Sequence, residues 1–171
     1  MSEQNAPKFT DLVSGLPATT PFVGPEAIER RRGQLFDIRV GANESAFGVS
    51  PAAAKAMSDA VRNIAWYGDP EGFDLRSQLA QHHGVTMDEV CLGGGIDDLL
   101  GLTVRMLVEP GIPVVTSLGA YPTFNYHVTG FGGELIRVPY RDDRIDLGAL
   151  IATVKQRKPA IVFFANPDNP M

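Results

Sequence analysis

Cysteine is almost absent from this chain. Cys91 stands alone, so no disulfide can close within it, and no cysteine–histidine set has the spacing of a zinc site. Histidine is scarce too: His82 and His83 precede a glycine and His127 falls in a helical stretch, positions that suit surface or core roles better than catalysis. Positive charge is not in excess. A formal net charge of −5 and a pI near 5.1 give no electrostatic reason to expect nucleic acid or an anionic membrane. The one basic cluster, Arg30-Arg31-Arg32, follows Glu26 and Glu29 on a helical pattern and reads as a solvated face. No apolar run is long enough to span a bilayer and no apolar signal core opens the chain, so a soluble, cytoplasmic protein is the expectation.

What is present is ordinary globular material: 171 residues, 44% hydrophobic and 20% charged, enough for one domain. Residues 1 to about 23, with Pro7, Gly15, Pro17 and Pro21 and few periodic apolar positions, read as an arm. A short helix is expected over 24–32 and a strand over 36–40. Ser50-Pro51 is a helix start, with serine as N-cap and proline at the first helical position. Ala54, Met57, Val61 and Ile64 then share one helical face. A helix over 74–83 should end at Gly84. From there strands (89–92, 113–117, 134–138, 160–165) alternate with helices (96–108, 121–129, 147–157), the last capped by Asp146. Such alternation implies βαβ units, hence an α/β fold with a mostly parallel sheet and flanking helices.

Three features fall where strands meet loops. Gly93-Gly94-Gly95-Ile96-Asp97-Asp98 joins an expected strand to a helix start, where close backbone approach and free N–H groups suit a phosphate. It has neither the third glycine of a dinucleotide fingerprint nor the Gly-Lys-Ser/Thr of a P-loop. Tyr121 follows the next strand and offers an aromatic face to a flat ring. The last apolar strand runs into Asn166-Pro167-Asp168-Asn169-Pro170, whose prolines stiffen a loop carrying two amides. In open α/β sheets, ligands bind beyond the carboxyl ends of the strands.

The order of these motifs resembles fold type I enzymes that use pyridoxal 5′-phosphate, in their histidinol-phosphate aminotransferase branch. Gly41-Ala42-Asn43-Glu44 with Phe47-Gly48-Val49-Ser50-Pro51 is similar to that branch's Asn-Glu-Asn-Pro-x-Gly-x-Ser-Pro segment. Trp66-Tyr67-Gly68-Asp69-Pro70-Glu71-Gly72-Phe73-Asp74-Leu75-Arg76 resembles its Tyr-Pro-Asp-x-x-Gly-x-x-Leu-Arg segment. The resemblance implies that residues 1–40 are an arm and the start of a small domain. Residues 41–171 would be the first part of the cofactor-binding large domain. It implies that Gly95, Ile96 and Asp97 hold the cofactor phosphate, Tyr121 stacks on the pyridine ring and Asn169 donates to its phenolic oxygen. Tyr67 would reach the phosphate bound by the other subunit of a homodimer, and Asn43 would lie near the substrate carboxylate. Substrates would be an amino acid and a keto acid or phosphorylated carbonyl compound.

Departures accompany the likeness. Gly68 stands in place of proline, Ile96 in place of a small or hydroxyl residue, and Met171 in place of threonine or serine. The family's Schiff-base lysine, its aspartate for the pyridinium nitrogen and its carboxylate-binding arginine all follow the Asn-Pro-x-Asn-Pro loop. None of Lys8, Lys55, Lys155 and Lys158 sits at a plausible active-site turn, so that lysine is expected beyond Met171 and this chain alone is expected to be inactive. Two rivals share these motifs: a decarboxylase of a phosphorylated amino acid, and a non-catalytic truncated chain. A nucleotide-binding domain would need a ribose-binding acid after the glycine loop, and no good candidate exists.

Overall fold

The computed structural model describes residues 8–18, 22–41 and 44–168. Two compact units divide it: Val23–Leu92, and Gly93–Met171 together with Met1–Phe22.

The second unit is organised by β1 (Pro113–Ser117), which lies between β2 (Glu134–Val138) and β5 (Ile161–Val162), parallel to both. Successive residues of a strand face opposite sides of its sheet, and both sides of β1 are buried. Val114 joins Val104, Val108, Phe124 and Val128, supplied by α5 (Ile96–Leu107) and α6 (Pro122–Gly130), with Val108 the residue just after α5. Val115 joins Val138 and Leu150, the latter from α7 (Leu147–Arg157) on the opposite face. The result is three layers, helix–sheet–helix. Val104, Val114, Val115 and Val128 are completely buried, each contributing about 1.5–3 kcal/mol from removal of its side chain from water. Phe124 stacks on Phe163, their ring centroids 4.1 Å apart, which seals β5 to α6. At Gly133 an added Cβ would meet Val108 Cγ1 at 2.7 Å, so a side chain there would break this packing.

Helix starts follow their local chemistry. Asp146 accepts from the Ala149 N–H at 3.0 Å, and Ser50 from the Ala53 N–H at 3.2 Å, opening α3 (Pro51–Ala60). α4 (Phe73–His83) ends at Gly84, in the left-handed region at φ 68°. Within the expected arm a single turn, α1 (Asp11–Ser14), is capped by Thr10.

Three strand expectations are corrected. Residues 36–40 form no strand: after α2 (Pro25–Arg32) the Phe36 N–H donates to the Glu29 carboxylate at 2.9 Å, and Arg39 pairs with Glu26 and Glu29. Side chains thus replace a neighbouring strand. Residues 89–92 also form none, because Thr86 and Glu89 close a capping box around a 3-10 turn and the Val90 carbonyl accepts from Arg76 Nε. The expected strand over 160–165 shrinks to β5, extended by single bonds from the Ala160 and Phe163 N–H groups to β1. A hairpin was not foreseen: β3 (Tyr140–Arg141) pairs with β4 (Arg144–Ile145) across Asp142-Asp143, at φ 51° and 55°. Two successive left-handed residues match the twist of such a turn, and aspartate tolerates them without glycine's sequence signal.

The Glu29 carboxyl is held below the ordinary glutamate range, first by the Phe36 N–H and then by Arg39. A depressed folded-state pKa stabilises above the unfolded value and the benefit is lost as pH falls through the folded one. Acidification below about pH 4.3 should therefore lower the melting temperature of the Val23–Leu92 unit, and Glu29→Gln should flatten that dependence. Melting curves from pH 7 to 3 test this; identical profiles for both proteins would contradict it.

Candidate active site at the carboxyl edge of the sheet

Because the three strands are parallel, their carboxyl ends share one edge of the sheet. Tyr121 lies four residues past β1, Tyr140 two past β2, and Asp168 six past β5. The start of α5 reaches the same edge. A tight turn in which the Ile112 N–H donates to the Glu109 carbonyl reverses the chain between α5 and β1. Twelve helical residues rise about 18 Å, close to the length of the strand beneath, so the helix N-terminus returns to the carboxyl ends.

Gly95 adopts φ 97°, ψ 179°, a conformation that strains residues with a Cβ, and has open space around it. At Gly93 an added Cβ would sit 2.8 Å from the Asp98 carboxylate and 2.9 Å from Leu99. The Gly94 N–H donates to Asp98 Oδ2 at 2.8 Å, drawing that carboxylate back over the loop. The first helical amide with an internal acceptor is Leu99, which donates to the Gly95 carbonyl. Among the described residues, the N–H groups of Ile96 and Asp97 have no acceptor, and both residues are exposed. Two free donors thus stand at the positive end of a twelve-residue helix, an arrangement that suits an anion.

Tyr121 is half-buried at the start of α6, with Pro122 fixing the first helical residue. Thr116 Oγ1 and Asn125 Oδ1, close in sequence on either side of this turn, are buried without a partner among the described residues. Asn43 and Asn169 lie outside the described residues. Tyr67 belongs to the other unit, where its side chain is fully exposed. The glycine loop and Tyr121 therefore share an edge of the sheet.

Sequence reasoning missed Tyr140. Its hydroxyl donates to Asp168 Oδ2 at 2.5 Å and also hydrogen-bonds the buried Ser117 side chain. Burial raises the phenol's pKa, the Asp168 carboxylate raises it further, and Ser117 pulls the other way. The only available signal was a tyrosine just past a strand end. Beside the hairpin, a depression of about 280 Å³ is lined by Arg144, Ile145, Phe164, Asn166 and Asp168, among others. It shares no residue with the glycine loop or Tyr121.

The model of the class I and II aminotransferases matches residues 37–171. The chain belongs to this family. A crystal structure of histidinol-phosphate aminotransferase from Sinorhizobium meliloti, in complex with pyridoxal-5′-phosphate, superposes with a TM-score of 0.91 at 50% identity. That match covers 99% of this chain and 45% of that one. Histidinol-phosphate aminotransferase 2 of Nitrosospira multiformis is 38% identical over 133 residues, 78% of this chain and 34% of its own length. The aspartate aminotransferase of Rhizobium meliloti, at 19% identity and a TM-score of 0.68, shares the fold. The chain thus spans about a third to just under half of the length of these relatives. Among the described residues no helix is long and apolar enough to cross a membrane.

The loop geometry carries a direct expectation. The Ile96 and Asp97 amides should exchange with solvent at near-unprotected rates, whereas the Gly94 amide should be slowed by Asp98. Hydrogen exchange followed by NMR tests this, and Asp98→Ala should remove the Gly94 protection while leaving Leu99 protected. Strong protection of Ile96 and Asp97 in the unliganded chain would rule out an open cup.

Proposed function

We propose that this chain forms the phosphate cup and one ring-facing wall of a pyridoxal 5′-phosphate-dependent aminotransferase. The enzyme would move an amino group between an amino acid and a keto acid or phosphorylated carbonyl compound. The observation carrying this reading is the pair of unengaged N–H groups on Ile96 and Asp97, at the same edge as Tyr121. The 50% identity to a histidinol-phosphate aminotransferase supports that branch, and the aminotransferase relatives favour amino transfer over decarboxylation.

The residues fit such a cofactor. Gly95 lets backbone approach a phosphate, and the Ile96 and Asp97 amides donate to its oxygens without needing a cationic side chain. Tyr121 faces a flat heteroaromatic ring, and Asn169 is assigned a hydrogen bond to that ring's phenolic oxygen. Asn43 is assigned to the substrate carboxylate. Bound there, the cofactor supplies an aldehyde that links to amines and a ring that draws electrons from the bond being broken. On this reading residues 41–171 belong to the large domain and 1–40 to the arm and small domain.

A homodimer belongs to the same proposal. In the Val23–Leu92 unit, Phe47, Ile64, Trp66 and Tyr67 are largely or wholly exposed, as are Met57 and Val61 on the apolar face of α3 and the turn after it. Such a concentration of exposed apolar area marks an interaction surface. Tyr67 would there be offered to the cofactor phosphate held by a second copy. A cytoplasmic setting completes the reading.

Ile96→Pro tests the cup with little disturbance, since proline is welcome at the first helical position and removes only the N–H. Titration calorimetry on the full chain should show pyridoxal 5′-phosphate binding weakened roughly 10- to 100-fold, the effect of one hydrogen bond to a charged group at about 1.5–3 kcal/mol. Unphosphorylated pyridoxal should be unaffected. Absence of cofactor binding by the unsubstituted chain, or equal losses for both ligands, would sink the proposal.

A further inference from the structure

We propose that Tyr140 is a positioning residue that fastens the loop carrying Tyr121 to the loop after β5 at Asp168. This deepens the cofactor reading above and rests on it.

The two loops leave neighbouring strands, β1 and β5, and only short backbone ladders join those strands. Beyond Val115 and Phe163 the main-chain bonds between them end among the described residues. Tyr140 enters from a third strand and meets both loops. Its hydroxyl donates to Asp168, the residue before Asn169, and hydrogen-bonds Ser117, the last residue of β1. Its ring lies against Gly119, two residues before Tyr121. A Cβ on Gly119 would fall 2.6 Å from Tyr140 Cε2 and 2.8 Å from its hydroxyl oxygen. Gly119 thus has ordinary backbone dihedral freedom to spare and lacks a side chain for a steric reason. One phenol, mostly withdrawn from water, thus ties the turn before Tyr121 to the loop at Asp168. A site held by side chains locked from behind keeps its geometry better than one built on free loops. Nothing in this arrangement touches the glycine cup, so ring contact and phosphate contact are separable.

The test uses the full chain and four variants: Tyr140→Phe, Gly119→Ala, Asp168→Ala and Asp168→Asn. Binding of pyridoxal 5′-phosphate is followed by the induced circular dichroism of its ring, and binding of inorganic phosphate by calorimetry. Backbone NMR without ligand reports on residues 117–121 and 166–168. Tyr140→Phe, Gly119→Ala and Asp168→Ala should each loosen both loops, weaken pyridoxal 5′-phosphate about tenfold and diminish the induced signal. Inorganic phosphate affinity should hold within about twofold, which also certifies that each variant is folded. Asp168→Asn keeps an acceptor oxygen and should fall between wild type and Asp168→Ala. Unchanged loops in Tyr140→Phe, or unchanged cofactor affinity and ring signal despite loosened loops, overturns the inference. So does a parallel loss of inorganic phosphate. An unsubstituted chain that binds no pyridoxal 5′-phosphate overturns the functional reading instead, a result distinguishable from the others before any variant is made.

Discussion

Everything at the carboxyl edge depends on the two-sided burial of one short strand. β1 has Val114 in one apolar cluster and Val115 in another, and slipping its register by one residue would exchange the two. Its register with β2, Val114 opposite Leu135 and Val115 opposite Ile136, therefore fixes where three strands end. Because α5 and α6 pack on the Val114 side, the same constraint also fixes where α5 begins. The open amides of the glycine loop have their position through packing some 15 Å away at Val104 and Val108, on the order of ten helical residues.

The donors at this edge are largely main-chain groups, which explains what the sequence could and could not reveal. The fold class was legible because helical and strand periods alternate cleanly from Ile96 onward, and six of the expected helices form close to their expected bounds. Gly93 to Asp98 was legible as a glycine turn opening a helix because glycine and helix start coincide. Phe36 to Val40 and Glu89 to Leu92 misled for a common reason: both are apolar and extended, yet their backbone groups are engaged by Glu29 and Arg76 side chains. Composition cannot distinguish a segment paired to a strand from one paired to a carboxylate or guanidinium. Tyr140 was invisible for a different reason. Its importance comes from two partners 23 and 28 positions away, Ser117 and Asp168, and no local pattern encodes such a meeting.

The two units differ in how they dispose of apolar surface. The one containing the sheet buries branched residues in two clusters, though Ile96, Met106 and Leu107 of α5 and Leu147 and Ile151 of α7 stay exposed. In Val23–Leu92 the buried set reduces to Glu29 and Ala80 among the described residues, while Ile38, Val40, Phe47 and Trp66 face solvent. That unit is held by polar devices instead: the Glu26–Arg39–Glu29 cluster, the Thr86–Glu89 box and Arg76 on two carbonyls. Polar clasps of this kind define a backbone path but contribute little apolar stabilisation of their own.

The contact between Gly119 and the Tyr140 ring also restricts the routes by which this sequence can change. A methyl group at 119 and a tyrosine at 140 compete for the same volume, so a larger residue at 119 requires the ring at 140 to shrink or shift. With the ring unmoved, the added Cβ meets it at 2.6 Å. Change at this pair is thus coupled: the two positions cannot vary independently. A descendant with a side chain at position 119 should carry a smaller residue, or a displaced ring, at position 140.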